Sequence, residues 1–196
     1  MIADHSCDLI ISDDGLQHYA LKRDIEVAVV DAWQQYSNDF CLPAGPLREP
    51  LSRLKQVDFV VKNFNTNLPM SEECQEYNMV LEPTVFRNLK KPELTKTAED
   101  FRGQIIHAVA GIGNPCKFFQ TLRQMGLSII EHPFPDHYVF QIADFPFARE
   151  ITIMTEKDAV KCIAIATENF WCLETKVKLQ DRLSADFLKK VMAIKF

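Results

Sequence analysis

A chain of 196 residues is long enough for one compact domain or two small ones, and 47% apolar with 25% charged residues is the composition of a folded globular protein, not a disordered or fibrous one. The formal charge of -5, from 27 acidic against 22 basic residues with no run of like charges, argues against nucleic acid as a partner, because phosphate neutralisation needs clustered Lys and Arg. Six cysteines without a C-x-x-C pair indicate neither a zinc site nor a disulfide framework, and no apolar stretch approaches the ~18 residues of a membrane-spanning helix.

Met1 to Asp4 is neither a targeting sequence nor a capped helix start, and a strand-like run follows at residue 9. The expectation is a chain already inside a sheet there, missing its beginning. Leu9-Ile10-Ile11 before Ser12-Asp13-Asp14-Gly15 reads as a short buried strand ending in a turn, and residues 25–31 as a second strand. Pro43, Gly45, Pro46 and Pro50 make 32–50 an irregular surface segment, the kind of place where binding residues gather. Leu47, Leu51 and Leu54 lie on one face of a short helix leading into a strand at Phe59-Val60-Val61.

Polar residues 63–67 and 71–76 around Pro69, then a β-rich run over 79–86, mark a domain boundary, with domains at 1–82 and 83–196. A strand is expected over 105–110, followed by a helix that Asn114 caps, Pro115 opens and Gly126 closes. Strand 127–130, an aromatic loop over 133–147, strand 151–154, helix 157–166, strand 171–173 and a terminal helix 184–194 complete the chain. Strands alternating with helices specify an α/β fold of mainly parallel sheets flanked by helices.

Ligands of open parallel sheets bind at the carboxyl ends of strands, where Asp13-Asp14-Gly15 is expected. Paired carboxylates hold Mg²⁺ or orient a nucleophile, yet in a regular strand they face opposite ways, so only one meets a metal unless Gly15 turns the backbone. Gln17 and His18 are close enough in sequence to reach the same pocket; the plainer alternative is an Asp-Gly turn with a solvated histidine. Thr155-Glu156-Lys157-Asp158 follows a strand and opens a helix, so its N–H groups and Lys157 face an anion, or Thr155 and Asp158 form a capping pair. Both readings stay open. Ala110-Gly111-Ile112-Gly113-Asn114-Pro115 has two glycines for close approach of a phosphate or sugar, and is equally explained as a capped turn. Arg48 and Glu49 read as an acceptor-phosphate contact or a surface ion pair. His5, His107 and His132 carry no metal-ligand spacing.

The motifs themselves are familiar. Residues 12–18 contain the DDGLQH signature, and the segment resembles that of lipid A 4'-kinases (tetraacyldisaccharide 4'-kinases). Residues 42–49 resemble the family's LPAGPLRE segment, 110–115 its AGIGNP segment and 154–162 its MTEKDAVKC segment, all in order, with the Asp136-His137 pair between the last two. The resemblance implies a P-loop kinase that uses ATP and Mg²⁺ to phosphorylate the 4'-hydroxyl of tetraacyldisaccharide 1-phosphate at the cytoplasmic face of the Gram-negative inner membrane. Residues 1–82 would then be the remnant of the kinase core and 83–196 a smaller C-terminal α/β domain.

It further implies that Asp13 and Asp14 place Mg²⁺ and the attacking hydroxyl, and that Gln17, His18, Arg48, Glu49, Thr155, Lys157 and Asp158 contact nucleotide or acceptor. His137 would pair with an acidic base that the family carries upstream of DDGLQH. Phe134, Phe140, Phe145 and Phe147 would form a wall for acyl chains or, more simply, core. Two departures matter. No G-x-x-x-x-G-K followed by Ser or Thr occurs in the sequence, and the stretch Ala32 to Phe40 replaces a more glycine- and arginine-rich loop. The chain is therefore expected to be a C-terminal portion, cytoplasmic and with little or no kinase activity alone, peripheral membrane contact belonging to an upstream segment. The alternative is a non-catalytic nucleotide- or phosphosugar-binding module.

Overall fold

The computed structural model describes residues 9–31, 40–63 and 76–194. The chain forms two compact units, one from residues 1–80 and 178–196, the other from 81–177. The expected division at residue 82 put the terminal helix with the second domain, whereas that helix packs in the first unit.

In the first unit, β1 (Val27–Asp31) pairs in parallel with β2 (Phe59–Asn63), in register from Val27 with Phe59 to Asp31 with Asn63. β2 pairs in parallel with the start of β3 (Glu76–Asn88). A small core of Phe59, Val61 and Tyr77 is closed by the C-terminal helix α3 (Asp181–Ala193), through Leu183 and Phe187 at i, i+4 spacing. The Phe59 and Phe187 rings lie 5.7 Å apart, and Tyr77 donates to Asp186 Oδ2 at 2.8 Å. Leu9-Ile10-Ile11, expected as a buried strand, forms none: the three residues are 55, 64 and 84% exposed. An apolar triplet becomes a buried strand only where a sheet covers both its faces. The helix expected from Leu47 is a 3₁₀ turn confined to Leu51–Gln56.

In the second unit the strand order is β3-β8-β7-β5-β6, with β4 (Thr95–Lys96) antiparallel to β3. β5 (Ile105–Ala110) pairs in parallel with β6 (Ser128–Pro133) and β7 (Thr152–Thr155), and β7 with β8 (Phe170–Leu179). Side chains alternate between two buried faces. Ile106, Ala108, Ala110, Ile153 and Trp171 pack with Phe118, Phe119 and Leu122 of α1 (Pro115–Gln124); Val109, Met154 and Phe170 pack with the aromatic loop and α2 (Glu156–Cys162). The loop phenylalanines are core, Phe140, Phe145 and Phe147 being buried and Phe134 packed against them. α1 is built as its sequence specifies: the Asn114 side chain accepts from the Lys117 N–H, Pro115 is its first residue, and Gly126 ends it at φ 83°. No helix among the described residues is long and apolar enough to cross a membrane.

Candidate functional site

In the first unit the DDGLQH segment forms consecutive turns in place of a strand end. Asp14 makes the reversal, at φ 49°, a left-handed conformation that Asp tolerates better than most residues. Gly15 serves close approach, since a Cβ there would meet Ser12 Oγ at 2.3 Å. Behind this turn the segment 40–49 closes on itself through a bridge between Cys41 and Leu47. The closure brings two of its side chains back to the acidic turn. Arg48 Nη1 donates to Asp14 Oδ1 at 2.8 Å and Oδ2 at 3.0 Å, and Glu49 accepts from Gln17 Nε2 at 3.1 Å and from the Tyr19 hydroxyl.

The turn is braced from below. Arg23 donates to the Gly15 and Leu16 carbonyls and pairs with Glu26 at 2.8 Å, which also pairs with Arg53 at 2.7 Å. Asp13 and His18 are exposed, and their side chains hold no hydrogen bond or ion pair among the described residues.

In the second unit the glycine loop, the Asp136-His137 pair and the start of α2 converge. Asp158 is fully buried: its Oδ2 accepts from the Gly111 N–H at 2.9 Å and the Thr155 hydroxyl at 2.7 Å, and its Oδ1 from Lys161 Nζ at 2.9 Å. The Thr155 hydroxyl in turn accepts from the Asp158 N–H, capping α2. Gly111 has no room for a side chain, a Cβ meeting Asp158 Oδ1 and the Phe140 ring at 3.2 Å and the Pro135 carbonyl at 3.3 Å. Lys157 donates to Asp136 Oδ1 at 3.0 Å, and His137, at φ 60°, puts Nε2 3.7 Å from Asp136 Oδ2. The Lys157 hydrogen bond is the main reason the Asp136 carboxyl lies below the usual carboxylate range.

The LpxK family model, tetraacyldisaccharide-1-P 4'-kinase, matches residues 1–192. The chain belongs to this family. It is 48% identical over 186 residues to the tetraacyldisaccharide 4'-kinase of Methylobacillus flagellatus, covering 94% of this chain and 54% of the relative, and 48% identical over 189 residues to that of Nitrosococcus oceani, covering 96% and 54%. A crystal structure of the "apo" form of LpxK from Aquifex aeolicus in complex with ATP is similar at a TM-score of 0.71 and 27% identity, over 91% of this chain and 56% of that one. The chain thus spans about half the length of the relatives it matches. The α/β architecture of mostly parallel strands and flanking helices is that of the tetraacyldisaccharide 4'-kinase family.

Against the family motifs, the structure joins DDGLQH to LPAGPLRE and joins AGIGNP to MTEKDAVKC, one cluster in each unit. Arg48 and Glu49 are not a pair with each other; each reaches the acidic segment. Thr155 and Asp158 are spent on capping and bracing α2, which leaves Lys157 as the outward cation of that motif. Of the divergent stretch Ala32 to Phe40, all but Phe40 lies outside the described residues. Tyr19, Arg23, Glu26 and Arg53 also take part in the first cluster; Tyr19 and Arg53 meet their carboxylates across 30 and 27 residues and Arg23 reaches backbone carbonyls, contacts that spacing does not flag. Burial pushes the Cys162 thiol up to about 12 and raises that of Cys172, so neither of these two is suited to act as a thiolate nucleophile.

Proposed function

We propose that this chain carries part of the machinery of a lipid kinase, one that moves the γ-phosphate of ATP to the 4'-hydroxyl of tetraacyldisaccharide 1-phosphate at the cytoplasmic face of the inner membrane. The observation that carries this reading is the joining of two family motifs in the first unit, by Asp14 to Arg48 and by Gln17 to Glu49. Phosphoryl transfer asks a protein mainly for positioning and charge compensation. Asp14 holds Arg48 through one guanidinium nitrogen, which leaves the rest of the planar fork for phosphate oxygens. Gln17 orients Glu49 beside it, with His18 open at the same turn. Within the second unit, His137 is the imidazole that orients an acidic base and Lys157 is turned to Asp136 beside it, while Thr155 and Asp158 hold α2 in place.

Mg²⁺ fits these residues in one way. No group of three or more His, Cys, Asp or Glu converges among the described residues, so an all-protein cage is not offered. Mg²⁺ commonly takes one or two carboxylates and completes its shell with water and substrate phosphates. Asp13 is the open carboxylate for that, next in sequence to the Asp14 that holds Arg48. When bound, the ion would neutralise charge on the nucleotide phosphates.

The 196 residues hold no glycine-rich loop with the Lys and Thr that cradle β- and γ-phosphates, so the chain alone is expected to transfer little or no phosphate. The test is transfer of labelled γ-phosphate from ATP to tetraacyldisaccharide 1-phosphate by the chain and by its fusion to the P-loop half of a curated relative. Activity in the fusion only, falling about a hundredfold or more on Asp14→Asn, supports the reading. Activity in neither favours a non-catalytic nucleotide- or phosphosugar-binding module, which the missing phosphate loop also suits. Turnover by the bare chain would refute the account of the phosphate cradle.

A further inference from the structure

The carboxylate of Asp136 is where three segments distant in sequence meet. Its Oδ1 accepts from the His137 backbone N–H at 3.0 Å and from Lys157 Nζ at 3.0 Å, and its Oδ2 stands 3.7 Å from His137 Nε2. A Cβ built on Gly113 would lie 3.7 Å from the same Oδ2, so the glycine loop runs alongside. These groups are not core: the side chains of Asp136, Lys157 and His137 are 42, 47 and 77% exposed. Ion pairs this exposed add little to folding stability. Their arrangement around one imidazole therefore calls for another explanation.

We infer that Asp136 and Lys157 are positioning residues for His137, Asp136 holding its backbone and facing its ring, and Lys157 holding Asp136. The inference rests on the kinase reading above, in which His137 works at the reacting centre. His137 has a left-handed backbone, which residues with a Cβ adopt at a cost, and the bond from its own N–H to Asp136 offsets that cost locally. The cation that steadies Asp136 is itself well placed. Lys157 sits in the first turn of α2, and the next residue, Asp158, ties that turn to Gly111 through a buried hydrogen bond. A flexible amine on a fixed base is a better-defined donor than one on a mobile loop. The buried half of the motif fixes the helix; the exposed half fixes the imidazole's support.

Four variants test this: Asp136→Ala, Asp136→Asn, Lys157→Met and Lys157→Arg. In the chain as it stands, labelled with ¹⁵N-histidine, Asp136→Ala and Lys157→Met are expected to shift the His137 backbone amide and to average its ring signals, with the thermal transition unchanged. Lys157→Arg keeps both as in the parent, and Asp136→Asn keeps the amide bond while loosening the ring. In an active P-loop fusion, Asp136→Ala and Lys157→Met are expected to lower kcat by about tenfold with KM for ATP and lipid within about twofold, and Lys157→Arg to restore it. Unchanged His137 signals in both disruptive variants overturn the inference, whatever the kinase assay gives. An unchanged kcat in an active fusion overturns it as well. A fusion inactive in every form sinks the kinase reading instead, and the imidazole signals then decide the positioning by themselves.

Discussion

Asp158 has no exposed surface, and both of its oxygens are occupied by Gly111, Thr155 and Lys161. A buried carboxylate is costly unless charge and hydrogen bonds compensate it, and here one cation and two neutral donors do so. Removing it orphans the Gly111 N–H and leaves Lys161 without its counter-ion, although Lys161 is one-quarter exposed and recovers part of its hydration. Asp158→Ala is therefore expected to cost about 2–4 kcal/mol, read as a lowered urea midpoint at unchanged slope. A loss below about half a kcal/mol would mean that α2 is held by its apolar face alone. Gly111→Ala should fall in the same range by a different route, its added methyl pressing on Asp158, Phe140 and the Pro135 carbonyl.

Between elements, β5 and β6 are clasped by an unusual pair. His107 Nδ1 lies 2.9 Å from His132 Nε2, His107 Nε2 lies 3.0 Å from Glu150 Oε2, and both rings stack on Phe147 at 4.1 and 4.2 Å between centroids. A hydrogen bond between the facing nitrogens needs one donor and one acceptor, and protons on both would put two donors face to face. Burial first, then the neighbouring His107, depresses the His132 pKa, so the folded chain favours neutral His132. The unfolded chain takes up its proton near pH ~6.5, so the contribution is complete above that pH and lost as pH falls through it towards the depressed folded value. Urea midpoints measured from pH 7.5 to 5 should fall on the acid side, and His132→Gln should flatten the curve. A curve equally steep in the variant would place the acid sensitivity elsewhere.

Elements with local signals were legible in the sequence. α1 carries its cap, its opening proline and its closing glycine within thirteen residues, and β5 is a short run, apolar except for His107, as expected of a strand buried on both faces. β8 was read short because 174–179 alternates charge with apolar residues at an exposed position, where pairing and not burial makes the strand. The candidate clusters were legible as motifs but not as contacts. Nothing in the spacing announces that Lys157 reaches Asp136, or that His107, dismissed as a metal ligand, stacks against His132. Non-local side-chain geometry is decided by the assembled sheet.

For the whole molecule, the second unit is one continuous segment, while the first needs both flanks. Ending the chain at residue 177 would remove Leu183 and Phe187 from Phe59 and Tyr77, together with the Tyr77–Asp186 and Lys190–Asp58 contacts. Loss of those two apolar side chains alone is worth about 3–5 kcal/mol, comparable with the stability of a small unit. Hydrogen exchange on such a chain should show β1 and β2 unprotected and β5 and β7 protected as before. Equal protection of all four strands would mean that α3 is dispensable.

The return of the last helix also sets a timetable for synthesis. The strands β1 and β2 leave the ribosome before residues 81–177, yet the helix that covers Phe59 is translated only after them. At translation speeds of roughly 5–20 residues per second, that apolar face waits about 5–20 s for its lid, while the inserted unit is already free to fold. The first unit is thus begun before the second and finished after it, and during that interval its uncovered apolar face is a surface for a chaperone to shield.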